Sequence, residues 1–216
     1  MEDSYKHKGL RRQLVSEVKE KGIKDEAVLT AMGKIPRHFF FDQIFESHAY
    51  EDKAFPIAAG QTISQPYTVA FQTELLAIRP SKKILEIGTG SGYQASVLCE
   101  LGADVFSIEY QKELYDKAVR FLPALGYRPR LFHGDGSKGL SKFAPYDGII
   151  VTAGAPTVPN DLIAQLKLGG RLVIPVGDNE RQAMLLIVRT EKGFKKKVFN
   201  NFSFVPLRSE KGWDAK

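Results

Sequence analysis

The chain has 216 residues, of which 43% are hydrophobic and 26% are charged, and its formal net charge is +6 at pH 7. These values are ordinary for a soluble globular protein with one sizeable core, and the longest apolar runs, 148–153 and 183–188, are far too short to cross a bilayer. The first residues lack the apolar segment of a secretory signal, and Cys99 has no second cysteine to pair with. We therefore expect a cytoplasmic protein with no membrane association, in which Cys99 is a small core residue.

The positive charge does not by itself identify a partner. Lysine and arginine are spread along the chain, and a basic surface would also attract peptides that carry carboxylates. The one dense run, Lys192 to Lys197, is interpreted as a solvated hairpin tip in preference to a nucleic-acid patch. No nucleic-acid partner is expected.

Two helical patterns occupy residues 4–36. Apolar residues at 10, 14, 15 and 18 share one helical face, and Gly22 ends that pattern. Asp25 is placed to cap a second helix, which ends before Pro36. Residues 37–67 are irregular and rich in aromatic residues, Gly and Pro, which favours a functional segment or one wrapped onto the body of the protein.

From residue 82 onward, short apolar strands alternate with helices. The predicted strands are 84–87, 105–108, 130–133, 148–152 and 171–176. The predicted helices reach about residue 101, then cover 114–125 and 162–166. Such alternation predicts an α/β fold with a mainly parallel sheet covered on both faces.

The last part of the chain has a different pattern. Residues 183–189 and 195–204 are predicted to form adjacent strands with Gly193 at the turn. We expect a single catalytic domain over 1–216, in which residues 1–80 add helices and a lid to a core at 81–216.

The most informative turn is Leu85-Glu86-Ile87-Gly88-Thr89-Gly90-Ser91-Gly92-Tyr93. It follows a strand and opens a helix, where a glycine-rich bend lets a ligand approach the backbone closely. Glu109 comes twenty-one residues after Gly88, at the end of the next strand. A carboxylate at that position can accept hydrogen bonds from both hydroxyls of a ribose.

Two details restrict the kind of ligand. The G-x-G-x-G spacing lacks the third glycine position that favours a pyrophosphate. Glu86 would be unfavourable beside a pyrophosphate and would suit the positively charged methionine end of S-adenosylmethionine. Glu86, the three glycines and Glu109 together resemble the Rossmann-like S-adenosylmethionine-dependent methyltransferases, with a nicotinamide dehydrogenase as the alternative. The resemblance implies a doubly wound, Rossmann-like sheet with an N-terminal helical extension.

The same resemblance assigns a role to Asp135. In that family an acidic residue at this position contacts the adenine amino group, whereas a local Asp-Gly turn is the purely structural alternative. His133 is interpreted as locally packed. The four histidines do not lie at metal-ligand spacings with Cys or paired carboxylates, so we predict no metal.

The segment Ala49 to Ala70, AYEDKAFPIAAGQTISQPYTVA, closely resembles the signature region of protein-L-isoaspartate (D-aspartate) O-methyltransferases. The family usually has Gly where Ala58 stands, which restricts the local backbone before Gly60 but removes no chemistry. The resemblance covers about 28–207 and includes further stretches at 28–41, 85–94, 148–156, 166–177 and 204–207.

The resemblance implies a reaction. The enzyme would transfer a methyl group from S-adenosylmethionine to the α-carboxylate of L-isoaspartyl residues, and to the β-carboxylate of D-aspartyl residues, leaving S-adenosylhomocysteine. The ester would then collapse to a succinimide, whose hydrolysis returns some normal aspartate in the damaged protein or peptide. Ser64 is implied as the active-site residue whose hydroxyl orients the carboxylate; a turn serine is the structural alternative.

The remaining expected contacts follow from the same resemblance and from the position of sheet ends. The cofactor-binding residues are expected to be Thr62, Ile63, Gln65, Glu86, Gly88, Thr89, Gly90, Gly92, Glu109, Asp135 and Gly136. The acceptor peptide is expected to contact Ala153, Gly154, Ala155, Pro156, Val205, Pro206 and Leu207, with the backbone carbonyls near 153–156 accepting hydrogen bonds from it.

Two alternatives stay open. The first is a methyltransferase with another acceptor, such as RNA or a small metabolite, although no Asn-Pro-Pro-Tyr-type element follows the fourth strand. The second is a non-catalytic module that binds S-adenosylmethionine or damaged peptides, against which the joint presence of Ser64, Glu86, Glu109 and Asp135 argues. A monomer is expected because no long exposed apolar helix is evident.

Overall fold

The computed structural model describes residues 2–178 and 180–208. The N-terminal part begins with two helices, α1 (Tyr5–Glu20) and α2 (Glu26–Lys34). The Asp25 carboxylate accepts hydrogen bonds from the backbone N–H groups of Ala27 and Val28, so the predicted N-cap of the second helix is confirmed.

The irregular segment that follows folds into short turns and a small hairpin. Two 3₁₀ turns at 37–40 and 43–48 lead to β1 (Phe55–Pro56) and its antiparallel partner β2 (Thr62–Ile63). The left-handed backbone conformation between these strands falls on Ala59 and Gly60, with φ of 56° and 64°. Ala58, where the related family has Gly, lies outside that region and fits without this strain.

A third helix, α3 (Pro66–Leu76), was not predicted from the sequence. Proline at its first position has the φ angle that a helix requires and lacks only an N–H that would be unpaired anyway. Its seven buried residues include the polar Thr68, Gln72 and Thr73, while the apolar Phe71 is only partly buried. The sequence of this helix therefore shows no amphipathic pattern. In the structure the helix is covered by both the sheet and the N-terminal helices.

A seven-stranded sheet forms the centre of the molecule, with the strand order β5-β4-β3-β6-β7-β8-β9. Counted along the chain, the first five of these strands are mutually parallel, and each of the last two runs antiparallel to the strand before it. The predicted mainly parallel sheet is confirmed. The strands are β3 (Lys83–Ile87), β4 (Asp104–Glu109), β5 (Arg130–His133), β6 (Tyr146–Val151), β7 (Leu166–Gly177), β8 (Gln182–Thr190) and β9 (Gly193–Phe202).

Helices connect the parallel strands and cover both faces of the sheet. They are α4 (Tyr93–Glu100), α5 (Lys112–Ala124) and α6 (Asn160–Ala164). Alternate residues of β3 point to opposite sides, so Ile84 packs with α3 and α4 while Leu85 packs with α6. β3 lies between β4 and β6, which places the reversal of strand order at the carboxyl end of β3.

The predicted boundaries near 162–176 were wrong. The helix there is only five residues long, and β7 starts at Leu166 instead of residue 171. The backbone carbonyl of Leu166 accepts a hydrogen bond from the Arg189 side chain, and Leu166 pairs with Tyr146 across the sheet. Pairing with a distant strand therefore decides the conformation of this stretch.

The chain from β8 to β9 forms the predicted hairpin. Thr190 pairs with Gly193 at its turn, and the lysines at 192, 195, 196 and 197 are exposed. These lysines thus lie partly at the turn and partly along β9, the edge strand. In the described part of the chain, no helix is both long and apolar enough to span a membrane. Cys99 is half-buried on α4, and burial raises its thiol pKa to about 12.

Removing the cap of α2 should destabilise the protein measurably. Asp25→Ala leaves two backbone N–H groups without their acceptor and is expected to lower the free energy of unfolding by about 1 kcal/mol. Urea denaturation followed by circular dichroism would measure the change. Asp25→Asn is the matched control, since asparagine caps about as well as aspartate. Equal stability of the alanine variant and the wild type would show that this cap contributes nothing.

Candidate active site

The glycine-rich turn connects β3 to α4 at the reversal of strand order. Gly88, Gly90 and Gly92 all have positive φ, at 94°, 54° and 86°. A Cβ on Gly88 would lie 2.5 Å from the Thr152 hydroxyl oxygen, and one on Gly92 would lie 2.7 Å from Leu122. The turn therefore requires glycine for two reasons, the left-handed backbone and the close approach of neighbouring elements.

Glu109 ends β4 beside this turn, as predicted. Its Oε2 accepts a hydrogen bond of 2.8 Å from the backbone N–H of Gly90, and its Oε1 accepts one of 2.8 Å from that of Gln111. The residue is 5% exposed, and its carboxylate forms part of a cavity wall. Two backbone donors hold the carboxylate in place while it still faces the cavity.

The cavity at this turn, called the turn cavity below, brings together residues from distant parts of the chain. Its floor and walls come from the glycine-rich turn, the end of β4, the segment around β2, and the segment after β9. Tyr93, Gln94 and Arg208 also line it without having been predicted. The predicted site residues that line it are Thr62, Ile63, Ser64, Gly88, Thr89, Gly90, Glu109, Gly136, Ala153, Val205, Pro206 and Leu207.

Gly92 and Asp135 have structural positions beside the cavity. Gly92 is the N-cap residue of α4 and contacts Leu122. The Asp135 side chain accepts hydrogen bonds from the backbone N–H and the hydroxyl of Ser137, at 2.9 and 2.7 Å. Asp135 therefore caps the turn in which Gly136 lines the cavity, and contact between its side chain and an adenine remains a prediction.

Glu86 lies inside the protein beside the turn, and its expected contact with a ligand stays a prediction. Glu86 is fully buried within β3 and is not part of the turn cavity wall. Its Oε2 accepts a 2.5 Å hydrogen bond from Ser107, whose hydroxyl lies 2.6 Å from that of Thr89. Glu86 is therefore connected to Thr89 of the turn through the Ser107 hydroxyl.

The environment of Glu86 disfavours its charged form. The pKa of this carboxyl is raised to about 8: burial is the main cause, the Ser107 hydrogen bond lowers the pKa in part, and the nearby Glu109 carboxylate raises it. Among the described residues, its Oε1 atom has no hydrogen-bond partner. Glu86 is thus a buried acid that holds a proton at a pH where an ordinary glutamate has lost it.

A second opening, called the outer groove below, adjoins the turn cavity. It lies between the segments 52–54 and 62–68 on one side and 200–206 on the other. Thr62, Ser64, Val205 and Pro206 line both spaces, so the two meet at these residues. In the described structure the Ser64 hydroxyl makes no intramolecular hydrogen bond, whereas its backbone carbonyl accepts one of 3.0 Å from Arg37.

Gln65 belongs to the outer groove and not to the turn cavity. Its amide nitrogen donates to the backbone carbonyl and to the carboxylate of Asp52, at 3.0 and 3.1 Å. The same Asp52 carboxylate accepts a 2.7 Å hydrogen bond from the Tyr67 backbone and lies 2.6 Å from the Lys21 ammonium. The Gln65 side chain thus helps to hold the start of α3, and its contact with a cofactor stays a prediction.

The backbone groups of Gly154 and Ala155 are bonded within the chain, and the expected contacts of 153–156 with a peptide stay a prediction. The N–H of Gly154 donates to Val205 and its carbonyl accepts from Leu207, at 2.8 and 2.7 Å. Ala155 is bonded in the same way to Pro175 and Gly177. These backbone groups are used within the chain, so only Ala153 of this stretch faces the turn cavity, while Pro156 is partly exposed outside it.

Two buried residues that position this site were not singled out from the sequence. Arg37 and Asp52 lie in stretches that resemble the family, but a lone charge in an irregular segment normally indicates a solvated side chain. Arg37 is 0% exposed and the Asp52 side chain is 2% exposed. Only the folded chain shows that both hold the backbone next to Ser64.

A separate cluster joins Asp3, His7 and His38, whose potential ligand atoms lie within 4.8 Å of one another. The histidine spacing in the sequence gave no sign of it. Both Asp3 oxygens already accept hydrogen bonds from Arg11, and His38 is bonded to the Tyr50 hydroxyl. A guanidinium on both carboxylate oxygens would repel a metal cation. The absence of a metal stays a prediction.

The parallel sheet, the glycine-rich turn at its reversal point and the carboxylate that ends the next strand define a class of protein. They are the arrangement of a Rossmann-like S-adenosylmethionine-dependent methyltransferase. Residues 9–212 match the family model described as protein-L-isoaspartate(D-aspartate) O-methyltransferase. The chain therefore belongs to the protein-L-isoaspartate(D-aspartate) O-methyltransferase family.

Individual relatives agree with this assignment. The protein-L-isoaspartate O-methyltransferase of Christiangramia forsetii is 63% identical over 212 residues, covering 98% of this chain and 100% of its own. That of Cytophaga hutchinsonii is 58% identical, covering 100% of this chain and 98% of its own. A solved structure of a protein-L-isoaspartate O-methyltransferase is 30% identical, with a TM-score of 0.84 over 94% of this chain and 67% of its own. A Plasmodium falciparum structure, 22% identical with a TM-score of 0.78, shares the fold over 93% of this chain and 99% of its own.

The buried acid Glu86 should make stability depend on pH. Its folded-state pKa of about 8 lies above the ordinary value, so the folded state keeps a proton that the unfolded chain releases. The contribution of Glu86 to stability should therefore fall as pH rises from about 5 to 8. The free energy of unfolding of Glu86→Gln minus that of the wild type should increase over this range by on the order of a few kcal/mol.

Denaturant unfolding of both proteins at several pH values would measure this difference. Glu113→Gln, an exposed position on α5, is the control and should differ from the wild type by a constant amount. A difference for Glu86→Gln that does not change between pH 5 and 8.5 would mean that Glu86 ionises normally.

Proposed function

We propose that this chain methylates the free α-carboxylate of L-isoaspartyl residues, and the β-carboxylate of D-aspartyl residues, in damaged proteins and peptides. The methyl donor is S-adenosylmethionine, and the ester starts repair through a succinimide. The observation that carries the proposal is the position of Ser64, which lines both the turn cavity and the outer groove. A cofactor held at the turn and a peptide held in the groove would meet at its hydroxyl.

The turn cavity suits S-adenosylmethionine chemically. Glu109 presents carboxylate oxygens to it, which can accept hydrogen bonds from ribose hydroxyls. Ile87, Ile108 and Val69 give it apolar walls that suit a purine ring. A Cβ built on Gly90 would meet only Ile57, at 3.8 Å, so the space above the backbone there is open.

Bound S-adenosylmethionine supplies a methyl group on a positively charged sulfur. The acceptor carboxylate has an ordinary pKa near ~4 and is already an anion at pH 7, so the protein need not remove a proton from it. Among the described residues that line the two spaces, none is a histidine or a cysteine. The chain's task is therefore to orient the carboxylate oxygen and to exclude water, which can contribute roughly 7–11 kcal/mol in favourable cases.

The neutral hydroxyl of Ser64 fits this task. Transfer of the methyl group neutralises the carboxylate, so a strong cationic clamp on that carboxylate would stabilise the reactants more than the transition state. The cations lining the two spaces in the described structure are Arg208 and Lys53, and Lys53 is 72% exposed and paired with Glu51. A hydrogen bond from Ser64 can orient the carboxylate without this penalty.

We propose further that residues 1–216 act as one catalytic domain and as a monomer in the cytoplasm, without a nucleic-acid partner. Apolar residues of α1 and α2 share a core with α4 and α5, which supports one folding unit. The lysines at 192–197 line neither the turn cavity nor the outer groove, which supports the interpretation of that run as a solvated surface.

A matched pair of peptides tests the activity directly. One peptide contains L-isoaspartate and the other L-aspartate in the same sequence, and both are incubated with radiolabelled S-adenosylmethionine. Base-labile label on the isoaspartyl peptide alone is the expected result. Label on neither peptide, with cofactor binding intact, would overturn the proposed acceptor, and methylation of RNA would replace it with a different one.

Removing the Ser64 hydroxyl should slow turnover more than it weakens cofactor binding. Ser64→Ala leaves the carboxylate without its orienting donor, so kcat is expected to fall about 10- to 100-fold while the Kd for S-adenosylmethionine changes little. Ser16→Ala, on the surface of α1, is the control. A parallel loss of cofactor affinity would identify Ser64 as a cofactor contact instead.

Removing the Glu109 carboxylate should weaken cofactor binding. Charge-assisted hydrogen bonds contribute about 1.5–3 kcal/mol each, so Glu109→Ala should raise the Kd for S-adenosylhomocysteine about 10- to 100-fold. Isothermal titration calorimetry measures the Kd, with Glu113→Ala as the control on the exposed side of α5. Unchanged affinity of the Glu109 variant would remove its assignment to the ribose.

A further inference from the structure

Arg37 is a buried cation whose charge the Asp52 carboxylate favours without contacting it directly. It is 0% exposed, and in the described part of the chain no carboxylate forms an ion pair with it. Its Nε donates a 3.0 Å hydrogen bond to the carbonyl of Ala49, and its Nη2 donates one of 3.0 Å to the carbonyl of Ser64. Its Nη1 has no hydrogen-bond partner among the described residues.

Burial of the Arg37 guanidinium is unfavourable for the stability of the fold. A buried charge that lacks a counter-ion loses its hydration without full compensation. Arg11, in the same N-terminal region, shows the usual solution, because Asp3 contacts its guanidinium at 3.0 and 2.9 Å. An apolar side chain at the Arg37 position would avoid this desolvation cost.

Aromatic rings supply part of the compensation and also connect Arg37 to the site. The guanidinium carbon lies 4.6 Å from the ring centroid of Tyr93 and 5.2 Å from that of Phe41. Tyr93 is the first residue of α4 and lines the turn cavity. Burial lowers the pKa of Arg37 to about 10, which leaves the guanidinium charged at pH 7.

Apart from Asp52, which holds Gln65 and Tyr67, few other contacts constrain the backbone near the Ser64 carbonyl. The strand before it, β2, is two residues long and pairs only with the equally short β1. The helix after it starts at Pro66, which has no N–H to donate. Arg37 therefore bonds to the backbone between these two elements, at the residue where the turn cavity and the outer groove meet.

We propose that Arg37 is a positioning residue for the methyl transfer: its guanidinium holds the backbone of Ser64 against Tyr93, and so fixes where the Ser64 hydroxyl stands relative to the cofactor cavity. This inference rests on the proposed role of Ser64. The planar fork of arginine is required, because two carbonyls on different segments and a ring face are contacted at once. A lysine ammonium could reach one carbonyl but could not bridge both and stack.

Arg37→Lys tests the proposal against Arg11→Lys as a matched control. Both arginines are buried in the N-terminal region and donate from Nε to a backbone carbonyl, but Arg11 bonds to Gly33 and lines neither space. Steady-state kinetics on the isoaspartyl peptide are measured at least about 20 °C below the melting temperature of each variant. The Kd for S-adenosylhomocysteine is measured by calorimetry.

Arg37→Lys is expected to lower kcat at least tenfold while the cofactor Kd stays within about threefold of the wild-type value. Arg11→Lys is expected to lower the melting temperature and to leave kcat within about twofold. Wild-type kcat in Arg37→Lys, or the same loss of kcat in both variants, would overturn the positioning role. If the wild type itself does not methylate the isoaspartyl peptide, the proposed function fails, which is a separate result.

A measurement on the wild type tests the hydrogen bonds of the Arg37 guanidinium directly. It requires neither turnover nor a variant that must fold. In ¹⁵N-resolved NMR spectra, the Arg37 guanidinium is expected to show separate, slowly exchanging Hη signals, because its hydrogen bonds prevent rotation about the Nε–Cζ bond. These signals should persist when S-adenosylhomocysteine is added. Averaged, rapidly exchanging Hη signals from Arg37 would overturn the proposal, whatever the kinetics show.

Discussion

The close attachment of the glycine-rich turn to both neighbouring strands is the constraint on which the rest of the site depends. The N–H of Gly88 donates to Ile108 of β4 at 2.8 Å, while the Thr152 hydroxyl after β6 donates to the Gly88 carbonyl at 2.7 Å. A side chain at residue 88 would occupy the place of that hydroxyl. Because only glycine permits both attachments, the turn is held from two sides. Glu109 and the start of α4 then take fixed places around one cavity.

The N-terminal part of the chain completes this site. The sheet alone offers an open edge, and the segment that carries Ser64 has almost no regular structure of its own. Its backbone is held by two buried charges, Arg37 at the Ser64 carbonyl and Asp52 at the first turn of α3. Buried hydrogen bonds to charged groups are stronger than those between neutral groups, so a loop can be positioned without a long strand or helix. The segment that carries Ser64 is therefore ordered by contacts that are remote in sequence.

Two glutamates near the turn show how environment separates similar side chains. Glu109 lies at the end of its strand, where two backbone N–H groups stabilise its carboxylate at the cavity wall. Glu86 lies inside β3, where burial raises its pKa to about 8 and a serine hydroxyl is its partner. The first is suited to accept hydrogen bonds from a ligand. The second links the sheet interior to Thr89 through Ser107.

The amino-acid sequence by itself determined the succession of strands and helices along most of the chain, the parallel sheet, the cap at Asp25, the glycine-rich turn and Glu109. These features depend on local periodicity and on backbone angles that few residues adopt. It did not predict α3, whose buried face mixes polar with apolar residues and shows no amphipathic pattern. Only the tertiary structure decided that Glu86 is buried away from the cavity, that residues 205–207 occupy the backbone of Gly154, and that Arg37 and Gln65 hold the chain in place. Each of these depends on contacts between distant segments, and local sequence carries no signal for a partner that only folding brings near.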